Sequence, residues 1–155
     1  MPHSTHIDDV LDHKSKVGGY MTVFNMALMK RAIEHDFSKF KQGEIEHFEE
    51  VNDALQGLTY GSDEYKASLK KIKPAIDHHY EVNSHHPEHF PNGIEGMDLL
   101  DIVEMVCDWC GAVKRHADGD IYESLEINKE RFNIDDQLYS IIKNTVDLFE
   151  KISGK

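Results

Sequence analysis

Met97-Asp-Leu-Leu-Asp-Ile-Val-Glu-Met-Val-Cys-Asp-Trp-Cys-Gly-Ala-Val-Lys-Arg-His116 reads as the most apolar helix of the chain and decides the fold class. Leu99, Leu100, Ile102, Val103, Met105, Val106, Cys107 and Trp109 crowd it. Asp101, Glu104 and Asp108 fall at i, i+3 and i+7 and so share one face. Ionised carboxylates in so apolar a helix are costly to bury unless a cation or a basic side chain meets them. The segment thus predicts both a core helix and a site on one of its faces.

Upstream, Pro87, Pro91, Asn92-Gly93 and Gly96 mark an irregular stretch. Pro87 disfavours helical geometry at His86, so a helix ends before that residue. This helix starts at Ser62 as N-cap and continues toward Asn83, with a kink expected near Pro74. Another is expected from about Gln42 to Leu55, with Ile45, Phe48, Val51 and Leu55 on one face. The first runs from Ile7 to Glu34. Val10, Val17, Met21, Phe24, Leu28 and Ala32 form its apolar side, and Gly18-Gly19 permits a break. Downstream, Ile121 to Phe132 forms a short helix. Asp135 caps the last one, whose stripe is Leu138, Ile141, Ile142, Val146 and Phe149. No stretch alternates as a strand would. Residues 1–155 are therefore expected to form an all-α, single-domain helical bundle.

The chain has 155 residues, enough for one domain with a sizeable core, and a net charge of −12. Binding to a nucleic-acid duplex needs clustered Lys and Arg and is not expected. A small phosphate ester remains accessible to an acidic protein if metal ions supply local positive charge. Two cysteines, Cys107 and Cys110, make no disulfide framework. With no leader pattern at the N-terminus, a cytoplasmic location is the expectation. No apolar stretch nears the ~20 residues needed to span a membrane. Cys107 and Cys110 sit late in their helix and are read as buried, inert thiols. The acidic charge and apolar last helix are compatible with a homodimer.

The chain has 11 histidines, and five of them, His78, His79, His85, His86 and His89, fall within twelve residues. His35-Asp36 places two metal-ligand types side by side at an expected helix end, with Lys39 three residues on. Imidazole with carboxylate suits iron, manganese, zinc or cobalt, and carboxylate alone suits magnesium. His13 and His35 are 22 residues apart, about 33 Å on one straight helix. They can share an ion only if the chain bends between them. His79 and His86 are two turns apart, so they share an ion only if their helix ends between them. His79 and Asn83 share a face at i, i+4.

In their order, these residues resemble the HD-domain superfamily of metal-dependent phosphohydrolases, which are helical bundles with ligands ordered His … His-Asp … Asp. The resemblance implies His13, His35, Asp36 and Asp108 as ligands to a principal divalent ion, with Asp101 as the rival for the last position. Two-metal members carry two further histidines between the His-Asp pair and the final Asp, which here implies His79 with His86 or His85. Lys39 would meet the substrate phosphate. The chain is more closely similar to a small uncharacterised family of bacteria and phages. That family shares His35-Asp36-x-Ser38-Lys39-Phe40 with Glu44, then His79-x-x-x-Asn83-x-His85-His86, then Glu104-Met105-x-x-Asp108-Trp109.

The expected function is hydrolysis of a nucleotide or other small phosphate ester at one or two ions (Mn, Fe, Mg, Co or Zn). Metal-bound water would be the nucleophile, with Glu44 or Glu104 as its base. His85 and Asn83 are further metal or substrate contacts. An HD-fold di-iron oxygenase has the same ligand types and is the alternative. A non-catalytic metal-binding or regulatory protein, phage-encoded in origin, is the third reading.

Overall fold

The computed structural model describes residues 5–41, 44–45, 49, 70, 73–115 and 119–154. Among them are five α-helices and no strand, so the fold is all-α. The helix expected over Gln42 to Leu55 and the first part of the one expected from Ser62 lie almost wholly outside the described residues. Two compact units divide between His35 and Asp36.

The first unit contains α1, His6–Glu34. Thr5 caps it: the hydroxyl accepts the Asp8 amide N–H at 3.2 Å, and the Asp8 carboxylate accepts the Thr5 N–H at 3.0 Å. Such a reciprocal box satisfies two orphan donors. Gly18-Gly19 does not break the helix, which runs unbroken for 29 residues. A helical glycine costs only ~1 kcal/mol against alanine, too little to end so long a run. None of its residues is buried.

The second unit starts with a 3-10 turn, Phe37–Phe40. Helix α2 is described over Lys73–Val82 and includes Pro74; the stretch before it, where the expected kink would bear, lies largely outside the described residues. The helix ends before His86, as the His86-Pro87 dipeptide predicts: His86 is extended at φ −98°, ψ 126°. Two 3-10 turns, Pro87–His89 and Gly93–Gly96, make the irregular stretch. Helix α3, Leu99–Val113, begins on Asp98, whose side chain accepts the amide N–H groups of Leu100 and Asp101. Helix α4, Ile121–Arg131, is capped by Asp120. It ends on Asn133 at φ 50°. The Ile134 N–H returns to the Lys129 carbonyl and the Asn133 N–H to that of Glu130, a Schellman closure. Helix α5, Asp136–Ile152, starts on Asp135, which accepts the Leu138 N–H at 2.7 Å.

The core of this unit joins α3, α4 and α5 through Met105, Val106, Ile121, Leu125, Ile134, Ile142 and Val146. Leu138 and Phe149 pack against it, but Ile141 of the expected stripe is exposed. It stands next to Ile142 and so about 100° away from the core-facing line. The acid-bearing face of α3 is thereby anchored to a packed three-helix support.

Candidate metal centre

Asp36 starts the site. It adopts the left-handed conformation, φ 57° and ψ 17°, which Asp tolerates better than most residues. This single residue turns the chain into the 3-10 turn and presents its carboxylate to α2. Its Oδ1 lies 3.2 Å from His79 Nε2 and 3.5 Å from His85 Nε2. His79 Nε2 lies in turn 3.0 Å from His86 Nε2. One ligand atom from each of Asp36, His79, His85 and His86 falls within 4.8 Å of all the others.

Two ligands each ~2.1 Å from a common ion lie ~3.0 Å apart at a right angle and ~3.4 Å apart at a tetrahedral angle. The separations of 3.0, 3.2 and 3.5 Å match donors around one ion. Three imidazoles and one carboxylate form a donor set suited to iron, manganese, zinc or cobalt. His79 and His85 are 4% and 2% exposed, a placement rare for polar rings without a function or a full set of contacts. These residues fit a divalent cation.

The electrostatics agree. Burial pushes the Asp36 carboxyl upward, but hydrogen-bonding contacts from His79, His85 and Lys39, together with the Lys39 charge, outweigh it and hold it well below its usual range. Lys39 Nζ sits 2.5 Å from Asp36 Oδ2, on the carboxylate oxygen that does not face His79 and His85. Burial, then the charges of His85 and His79, push His86 down to about 3, against the pull of Asp108 and Asp36. His86 is therefore neutral at ordinary pH, the form that ligates.

Behind the ligands lies a second layer of contacts. Glu44, 1% exposed, accepts the Ser38 hydroxyl at 2.9 Å and lies 3.3 Å from His79 Nδ1 and 2.5 Å from His78 Nδ1. The Asn83 amide donates to Ser38 Oγ at 2.9 Å and to the His79 carbonyl at 2.8 Å. Glu104 Oε1 lies 3.2 Å from His85 Nδ1.

The structure redistributes the roles expected from sequence. His13 does not share an ion with His35: α1 is continuous between them, which keeps them about 33 Å apart. His35 is the C-cap of α1 and the last residue of the first unit, bonded to Asp36 at the start of the second. Asp101 is in none of the possible metal-ligand groups among the described residues. Its Oδ2 accepts the Asp98 N–H at 2.9 Å and its Oδ1 accepts the Ser84 hydroxyl at 2.6 Å, so it closes the cap of α3 and ties down the loop that carries His85. Asp108 keeps its place near the centre, with a carboxylate oxygen within 4.8 Å of one of Asp36. His79 and His86 do meet, because α2 ends between them. His85, a secondary candidate in the sequence, sits in the cluster itself. Asn83 buttresses His79. Glu44 lies against His79 Nδ1 and Glu104 against His85 Nδ1, and a Glu104 carboxylate oxygen is itself within 4.8 Å of a His85 ring nitrogen as a possible ligand. Ser38 was assigned no role from sequence; its signal is the small residue of the His35-Asp36-x-Ser38-Lys39 motif.

Cys107 is exposed and Cys110 half-buried, not buried as expected. Both thiols are pushed up, Cys107 by burial and then Glu104 and Asp108, Cys110 by burial and then Cys107. That makes them poor nucleophiles. No helix among the described residues is long and apolar enough to cross a membrane.

No curated protein and no solved structure shows a significant match to this chain. One family profile does match, over residues 2–154, a span that includes α1 and the whole ligand cluster. The chain belongs to that family, described as a family of unknown function (DUF5662).

Proposed function

We propose that this protein is a metal-dependent phosphohydrolase of the HD-domain kind, acting on a nucleotide or another small phosphate ester. The convergence of Asp36 Oδ1 with the Nε2 atoms of His79 and His85, and of His79 Nε2 with His86 Nε2, is the observation that carries it. Asp36, His79, His85 and His86 hold the ion, and Asp108 completes the set. His35 joins them on sequence grounds alone, through its place in the His-Asp motif. A divalent ion in such a site lowers the pKa of bound water and polarises a phosphoryl oxygen.

Lys39 supplies the complementary charge. Its side chain is about one-third exposed, at 34%, and rests on Asp36. An ammonium there can turn toward an incoming phosphate and neutralise charge that develops during attack. The net charge of −12 repels polyanions, which favours small esters over nucleic-acid duplexes.

The test is elemental analysis of the purified protein, followed by a panel of phosphomonoesters, phosphodiesters and nucleotides with manganese. Phosphate or nucleoside release that disappears in Asp36→Ala is the expected result. Three imidazoles with a carboxylate also suit iron, so oxygen uptake by the iron-loaded protein without phosphate release would move the assignment to an oxygenase. Wild-type protein with no metal, unaffected by chelator, would make it a non-catalytic protein.

A further inference from the structure

We propose that α1 is a self-association element: two copies of this chain pair through their α1 helices, antiparallel, along one heptad seam. This inference is independent of the metal reading above.

Taken by itself, α1 lacks the support that a helix of its length needs. None of its 29 residues is buried. A Cβ added at Gly18 or Gly19 meets nothing within 4 Å. Each glycine costs ~1 kcal/mol against alanine and gains no packing in return. Helices draw most of their stability from burying an apolar face, yet Ile7, Val10, Val17, Met21 and Phe24 are exposed. A run of exposed apolar side chains this long marks an interaction surface.

The spacing names the partner. Positions 7, 10, 14, 17, 21, 24, 28 and 31 alternate steps of three and four, the heptad pattern that faces one neighbouring helix in a coiled coil. Ile7, Val10, Val17, Met21, Phe24 and Leu28 fill six of these positions, and Lys14 and Arg31 the other two. A second α1 carries the same seam, so a twofold axis makes it self-complementary.

The two cations choose the direction. Parallel helices bring Lys14 against the partner's Lys14 and Arg31 against the partner's Arg31, and like charges in contact are costly. Antiparallel helices pair Val17 with the partner's Met21 and Val10 with the partner's Leu28. Lys14 then meets the partner's Phe24, a cation–π contact. The Arg31 stem covers the partner's Ile7, with its charge beside the acidic first turn, which holds Asp8 and Asp9. Overall, α1 is neutral: Asp8, Asp9, Asp12 and Glu34 balance Lys14, Lys16, Lys30 and Arg31, on a chain of net charge −12. Pairing here avoids the net repulsion carried by the rest of the chain.

Sedimentation equilibrium of the full chain at micromolar concentration tests this. Twice the 17.8 kDa chain mass is expected. A monomeric wild type overturns the proposal and leaves the chain's own residues to cover α1. Val17→Glu/Met21→Glu should halve the mass. Val23→Glu/Met26→Glu, at exposed positions on the opposite side of α1, should keep the dimer. A dimer that survives the first variant, or one lost in both, overturns the seam. For direction, Val10→Cys/Leu28→Cys is oxidised by copper–phenanthroline in a Cys107→Ser/Cys110→Ser background. Positions 10 and 28 lie about 27 Å apart along one helix, so a disulfide between them forms only between copies. A covalent dimer is expected from the double variant and not from Val10→Cys alone. Cross-linking by Val10→Cys alone, or none in the double variant, overturns the antiparallel register. Should the glutamate variants not fold, the wild-type mass and the cross-link still decide.

Discussion

Asp36 is the residue on which the site turns. It is left-handed, half-buried and shared by two histidines and a lysine. Asp36→Ala removes the only carboxylate of the four-residue cluster and should weaken divalent-metal affinity at least ~100-fold, measured by calorimetric titration; affinity within a few-fold of wild type would remove Asp36 from the centre. His86 makes a second prediction. Its pKa falls from 6.5 in the unfolded chain to about 3 in the fold. Between these values the unfolded chain binds the extra proton, so stability rises with pH across that window and is fully present above 6.5. In chelator-treated protein, the loss on acidification through that window should reach about 3 kcal/mol after allowance for partial exposure. Melting curves against pH should flatten in His86→Gln; an unchanged slope would assign the pH dependence elsewhere.

At the scale of elements, α3 separates structure from function along one face. Asp101 caps, Glu104 backs His85, and Asp108 borders the cluster. Asp101→Ala should therefore cost about 1–3 kcal/mol, from the lost cap and the Ser84 bond, with metal affinity retained near the wild-type value. Chemical denaturation and cobalt titration on the same sample check this. A loss of metal binding out of proportion to the loss of stability would restore Asp101 as a ligand. Asp135 gives the simpler comparison: its truncation to alanine removes one N-cap bond of α5 and should cost about 1 kcal/mol.

At the largest scale, the core of the second unit and the candidate metal centre share α3, which contributes Met105 and Val106 to one and Glu104 to the other. Leu125→Ala empties part of that core and should destabilise by about 2–5 kcal/mol. Metal should stabilise the native state by about 2.7 kcal/mol at a hundredfold excess over Kd. Thermal melts with and without manganese test this, and the increment should vanish in Asp36→Ala. An equal increment in that variant would show that the ion acts at another place.

The sequence by itself determined the all-α class, the cap at Asp135, and the end of α2 before His86. These follow from local rules: side-chain oxygens that accept amide protons, apolar spacing of 3.6 residues, and a proline that excludes helix before it. It also placed His35-Asp36 at the end of α1. Which polar residues meet was decided only by tertiary structure. Asp101 and Asp108 carry the same group on the same face of one helix; Asp101 closes the cap on Asp98 of its own segment and takes the Ser84 hydroxyl from another, whereas only the fold brings Asp108 to Asp36. His13 looked like a ligand because residue order does not encode distance, and the unbroken α1 keeps it far from His35. Glu44 reads as a base from its chemistry alone; its contacts with His79, Ser38 and His78 exist only in the fold. Ligand identity can be read from residue type, but convergence depends on contacts far apart in the chain, and those exist only after folding.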